Sequence, residues 1–259
     1  MVEPSDVRRP PHEPRKRRGV YLLPSLFTIG NMFCGYACIV YAMRGDLVTA
    51  APFIGFAIVL DMLDGRLARL TDTTSAFGVE FDSLADVVSF GVAPAVLAYA
   101  WGLSELGRIG WAAGFFFVST AAIRLARFNT QASGAQVDKR YFIGMPTPAA
   151  AGVVAATIFA WPYPVSGYPQ GSAAVMVVLV PAALMVSTLR FRSFKTINFG
   201  WGPSYLPLIG FALLIAFITT EPRFTLPALA YGYLLSAFVE FGFTRLRARR
   251  EGVPPAASA

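Results

Sequence analysis

Asp61-Met-Leu-Asp64-Gly65-Arg66-Leu-Ala68-Arg69, followed eight residues later by Gly78-Val-Glu-Phe-Asp82-Ser-Leu-Ala-Asp86, decides how the whole chain is read. The runs on either side, Ala50 to Leu60 and Val87 to Gly102, contain no charged residue. Acids placed where two such runs meet stand at the edge of an apolar solvent. Ionisable groups in that position are costly, face a cavity or a partner, and mark function.

The remaining sequence identifies that solvent as a bilayer. Hydrophobic residues make up 55% of 259 and charged residues 14%, and the mean hydropathy of +0.55 is far above that of a soluble domain. A bilayer core about 30 Å thick asks for roughly 20 apolar residues per helix. The uncharged runs predict eight helices, at 22–43, 47–70, 79–102, 109–128, 147–163, 172–189, 203–219 and 226–245. The expected fold is therefore all-α: one polytopic transmembrane bundle over 20–246, flanked by a disordered basic tail at 1–19 and a disordered tail at 247–259. The first apolar run is too long for a cleavable signal and lacks a small-residue cleavage pattern.

The formal net charge of +7 raises the possibility of nucleic acid, but the basic residues alternate by loop instead. With a cytoplasmic N-terminus, only Arg44, Arg108 and Arg223 of the 22 Lys and Arg fall on the far side. That is the positive-inside pattern for both termini in the cytoplasm of a multi-pass cell-membrane protein. The basic tail is suited to anionic head groups. Cys34 and Cys38, one turn apart in the first helix, read as small packing residues.

Residues three or four apart share a helix face, so Asp61 and Asp64 point together, as do Asp82 and Asp86. Gly65 and Ala68 continue the first face and Gly78 the second, and small residues let helices or ligands approach closely. The short connection Thr71 to Phe77 makes the two helices antiparallel neighbours, so four carboxylates converge. Such a cluster repels itself unless cations join it. Two divalent cations balance the charge, and all-oxygen ligation without nearby His or Cys favours Mg²⁺ or Mn²⁺. A two-metal site of this kind suits phosphoryl displacement. A lone Asp–Arg pair here would read as an interfacial salt bridge with Arg66 or Arg69; four acids at this spacing do not. Asp46, Asp72 and Glu80 fall off these faces and read as solvated.

Asp61, Asp64, Gly65, Ala68, Arg69, Gly78, Asp82 and Asp86 fill every defined position of D-x2-D-G-x2-A-R-x8-G-x3-D-x3-D, and the stretch thereby resembles the CDP-alcohol phosphatidyltransferase family. The resemblance implies that Asp61, Asp64, Asp82 and Asp86 are metal ligands, with Asp86 also the catalytic proton acceptor. It implies that Gly65, Arg69 and Ser75 contact a CDP-activated lipid. Pro24-Ser25-Leu-Phe-Thr28-Ile-Gly30-Asn31 looks like the family's opening helix, which makes Thr28 and Asn31 further substrate contacts; the Asn usual after that Pro is Ser25 here.

Three further stretches, Ala122 to Asn129, Phe142 to Gly152 and Leu184 to Lys195, resemble the membrane-bound phosphatidylserine synthase branch. On that resemblance the substrates are CDP-diacylglycerol and L-serine, with Arg124, Arg127, Asn129, Lys139 and Arg140 towards the acceptor, and the protein is a homodimer. The basic residues among these have positive-inside topology as an equal explanation. The rival readings are a sibling enzyme using inositol phosphate, glycerol phosphate or choline as acceptor, or serine on an archaeal ether lipid, a transporter, and an inactive scaffold. A transporter predicts midplane acids on several helices, whereas these cluster at one ledge.

Overall fold

The computed structural model describes residues 22–70, 75–132, 141–165, 167–192 and 206–251. The segments 1–19 and 252–259, with Asp72, Lys139, Arg140 and Lys195, lie outside the described residues, as do the side chains of Arg69 and Glu240.

Eight helices form the bundle among the described residues: α1 Leu22–Met43, α2 Leu47–Leu70, α3 Ala76–Trp101, α4 Arg108–Ala132, α5 Thr147–Ala160, α6 Tyr168–Val186, α7 Leu206–Thr220 and α8 Pro222–Glu251. Five apolar stretches, within α1, α2, α3, α4 and α6, are long enough to cross a membrane. The chain is thus a multi-pass membrane protein. Large hydrophobic side chains such as Phe33, Phe56, Trp111, Phe115 and Phe217 face outward, as a lipid solvent requires.

Between helices, close packing of small residues replaces the hydrophobic drive available in water. Cys34, Cys38 and Ala42 of α1 are buried with Ala50, Ile54 and Ala57 of α2 in one core cluster. The tight turn between them uses Gly45 at φ 75°, and the Asp46 carboxylate accepts from the Thr49 amide at 3.1 Å to open α2. Asp46 is therefore a helix cap. Both cysteines are free thiols buried in the packing, as expected.

α3 contains the departure that most affects the site. Its first part, Ala76–Asp86, is α-helical; Val87–Val92 then forms a π turn before the α-helix resumes. The extra residue in that turn changes the helix phase immediately after Asp86. Gly35 of α1 packs at the π turn, where an added Cβ would stand 2.7 Å from the Ser89 Cα.

Several helix ends differ from the expected ones. α3 starts at Ala76 rather than 79, because the Ser75 hydroxyl accepts from the Gly78 amide at 3.0 Å and caps it. α5 stops at Ala160 rather than 163, since Pro162 disfavours helix at the residue before it. α6 is displaced to Tyr168–Val186 from the expected 172–189, with Pro169 in its first turn. α4 runs four residues past its expected end, to Ala132. α8 runs on from 245 to Glu251, because Arg245 to Glu251 are all good helix formers although mostly charged, with only Leu246 and Ala248 apolar.

A small antiparallel ladder supplements the helices. β1 Tyr141–Ile143 pairs with β2 Arg190–Arg192, placing Phe142 opposite Phe191. Phe191 is fully buried and its ring packs on Tyr233 of α8 at 5.9 Å. Gly144, at φ 80°, follows the ladder and donates its amide to the Leu189 carbonyl at 2.8 Å. An added Cβ there would collide with the Met185 carbonyl, so only glycine fits. The ladder joins the chain entering α5 to the chain leaving α6.

Candidate metal centre and active site

The end of α2 and the start of α3 meet as the spacing requires. Carboxylate oxygens of Asp61, Asp64 and Asp82 lie within 4.8 Å of one another. Asp64 is buried, at 4% exposure, and Asp61 and Asp82 are half-buried. One oxygen of Asp82 is buried without a hydrogen-bond partner, an unmet acceptor that a cation would satisfy. Asp86 is buried at 8% exposure, outside that group of three.

α1 supplies the hydrogen bonds that tie two of these acids down. The Thr28 hydroxyl donates to Asp64 Oδ2 at 3.1 Å, and Asn31 Nδ2 donates to Asp86 Oδ1 at 3.2 Å. Both donors are buried, at 5% and 0% exposure. Ser89, within the π turn, donates to the Asn31 carbonyl at 2.9 Å.

Gly65 is half-buried, and no side chain or neighbouring backbone stands within 4 Å of where its Cβ would be. The helix backbone is therefore open to a ligand at this point. Ser75 is exposed, with its hydroxyl engaged as the cap of α3. Arg66 is exposed, as a snorkelling charge would be.

α4 brings the other predicted residues to the same end of the bundle. Asn129 Nδ2 donates to the Ser83 hydroxyl at 2.8 Å, next to Asp82 in the chain. Arg127 is exposed. Arg124 is half-buried, with one guanidinium nitrogen donating to Thr147 Oγ1 at 3.0 Å and its Nε buried without a partner. Asp86 and the Tyr233 hydroxyl lie nearby.

Ser83, Ser89, Thr147 and Tyr233 were not anticipated as parts of this region. Ser83 lies inside the motif, between Asp82 and Asp86, and position alone marks it. The π turn that brings Ser89 to α1 leaves no periodic signal, and Tyr233 arrives from a helix remote in sequence.

The three clustered carboxylates and the unmet Asp82 oxygen fit a hard divalent cation. Fold and site together define a polytopic membrane enzyme with a carboxylate-lined centre at one end of its bundle. Residues 21–189 match the sequence profile of the CDP-alcohol phosphatidyltransferases, and the chain belongs to that family of transferases. Divalent-metal dependence is general in the family and agrees with the acidic cluster.

Among curated relatives, the CDP-diacylglycerol–serine O-phosphatidyltransferase of Helicobacter pylori strain 26695 is 38% identical over 230 residues, spanning 88% of this chain and 94% of the relative. The Bacillus subtilis protein of the same name is 34% identical over 173 residues, 67% of this chain and 91% of that one. The archaetidylserine synthase of Methanothermobacter thermautotrophicus is 32% identical over 171 residues, 65% and 69% of the two chains.

Proposed function

We propose that this chain is a CDP-diacylglycerol–serine O-phosphatidyltransferase, joining CDP-diacylglycerol and L-serine into phosphatidylserine and CMP. The observation carrying this reading is the convergence of Asp61, Asp64 and Asp82 in a chain whose relatives of that name match along most of its length. The archaeal relative named for serine on an ether lipid supports serine over a phosphorylated acceptor.

In this reading Asp61, Asp64, Asp82 and Asp86 hold two divalent cations, Mg²⁺ or Mn²⁺. When bound, these would neutralise phosphate charge and polarise the phosphorus for attack. Gly65 lets the CDP-lipid approach α2, with Arg69 positioned by the motif to grip a phosphate through its planar fork. On the family resemblance Ser75 also contacts the CDP-lipid. Asp86 takes the serine hydroxyl proton. The serine oxygen bonds to the phosphorus next to diacylglycerol, the bond to the CMP oxygen breaks, and CMP leaves. Arg124, Arg127 and Asn129 face the acceptor, and the spare Nε of Arg124 suits an anionic group.

In this reading the site and both termini lie on the cytoplasmic side of the cell membrane, which the positive-inside distribution of the basic residues supports. The family resemblance adds a homodimer. Purified protein given CDP-diacylglycerol and a panel of alcohols tests the reading. CMP release with L-serine is expected; release with inositol phosphate and none with serine would overturn it.

A further inference from the structure

The buried aspartates of the two motif helices each have a donor from α1. Thr28 reaches Asp64 on α2, and Asn31 reaches Asp86 on α3. Neither donor is on an open wall: the Asn31 side chain is fully buried and Thr28 is 5% exposed. The amide nitrogen of Asn31 is the group turned to Asp86, the polarity that an ionised, cation-holding carboxylate requires because it only accepts hydrogen bonds. That orientation leaves Asn31 Oδ1 buried without a partner. A lost acceptor in the interior costs stability, so packing alone does not explain an amide at this position.

Asn31 is itself held. The Ser89 hydroxyl donates to its carbonyl, and Ser89 reaches α1 because the π turn swings it there and Gly35 presents no side chain. A second connected line thus runs from the π turn through α1 to Asp86.

We propose that Thr28 and Asn31 are positioning residues: they fix the carboxylates of Asp64 and Asp86 in the orientation that cation binding needs, with Ser89 and Gly35 fixing Asn31. This replaces the expectation that Thr28 and Asn31 touch the CDP-lipid. The assignment rests on the reading of Asp64 and Asp86 as cation-holding groups. Groups that orient metal-binding side chains change metal affinity by about 10- to 100-fold when removed.

The test compares Thr28→Val, which keeps shape and loses the donor, with Thr28→Ser, which keeps the donor, alongside Asn31→Leu. Mn²⁺ binding to each detergent-solubilised protein is followed by electron paramagnetic resonance without substrate. Kinetic constants with CDP-diacylglycerol and L-serine are measured separately. The expected result is Mn²⁺ binding weakened about 10- to 100-fold in Thr28→Val and Asn31→Leu. It includes kcat lowered, KM for CDP-diacylglycerol unchanged at saturating metal, and Mn²⁺ binding restored in Thr28→Ser.

A raised KM for CDP-diacylglycerol with normal Mn²⁺ affinity would make these residues substrate contacts and overturn the assignment. So would a Thr28→Ser protein as weak in Mn²⁺ as Thr28→Val, or a parent protein that binds no Mn²⁺. If Asn31→Leu does not fold, the Thr28 pair decides the matter. Parent protein that binds Mn²⁺ yet releases no CMP with serine overturns the acceptor reading alone, because the binding measurement contains no acceptor.

Discussion

Asp86 and Gly65 separate chemistry from structure at single positions. Asp86 is a buried carboxylate held by one amide, off the cluster formed by Asp61, Asp64 and Asp82. A group placed so is suited to take a proton from an incoming hydroxyl. Asp86→Asn preserves the shape and removes the proposed base, and a general base contributes about 10²- to 10⁴-fold to rate. CMP release is expected to fall by that amount while the thermal unfolding midpoint in detergent stays within a few degrees; full activity would remove Asp86 from the mechanism. At Gly65 the expectation separates differently. No neighbouring group stands within 4 Å of an added Cβ, so Gly65→Ala is tolerated by the fold and its midpoint is unchanged or raised, since Ala favours helix over Gly by about 0.8–1.0 kcal/mol. Its KM for CDP-diacylglycerol is expected to rise at least about 10-fold, equivalent to about 1.4 kcal/mol of lost binding. An unchanged KM would mean that the lipid does not approach α2 there.

Gly35 carries the opposite expectation at the scale of helix against helix. A Cβ on it would stand 2.7 Å from the Ser89 backbone, and backbone inside a bundle does not step aside as a flexible side chain does. Gly35→Ala is expected to destabilise the protein by about 1–3 kcal/mol, the usual cost of overpacking, measured as a lower unfolding midpoint; unaltered stability would mean that α1 and α3 have room to separate. Contacts such as this explain what was readable beforehand and what was not. α1 and α2 were legible because an unbroken apolar run ends at Gly45 or at charged residues, and the four aspartates were legible because their spacing is helical. The π turn at Val87–Val92 was not, since its residues are as apolar as the α-helix around it. For the same reason Ser89 gave no sign of reaching Asn31. The end of α5 was misplaced because apolar composition continues through Trp161 to Val165, whereas backbone geometry at Pro162 ends the helix. The ladder of Phe142 with Phe191 depends on pairing between segments about fifty residues apart in the chain, which no local period encodes.

Across the whole molecule, the bundle has two chemically different ends. At one stand the cluster of Asp61, Asp64 and Asp82, Asp86, and Asn129 bonded to Ser83. At the other, Trp101 Nε1 donates to the Trp161 carbonyl at 2.9 Å, and exposed Arg108 begins α4 near Trp111. Tryptophan with a cation suits a membrane interface, whereas the positive-inside pattern predicts that the carboxylate end, rich in Lys and Arg, faces the cytoplasm. The orientation has a functional consequence, because a soluble amino-acid acceptor and released CMP must exchange with the compartment that the carboxylates face. It is tested by removing Cys34 and Cys38, the two free thiols, and placing one cysteine at either exposed arginine. In intact cells a membrane-impermeant maleimide is expected to label Arg108→Cys at once and Arg66→Cys only after permeabilisation. The reverse pattern would turn the bundle over and put the carboxylate end outside. Because Arg66 follows Asp64 and Gly65 directly on α2, its accessibility reports the side of the site itself.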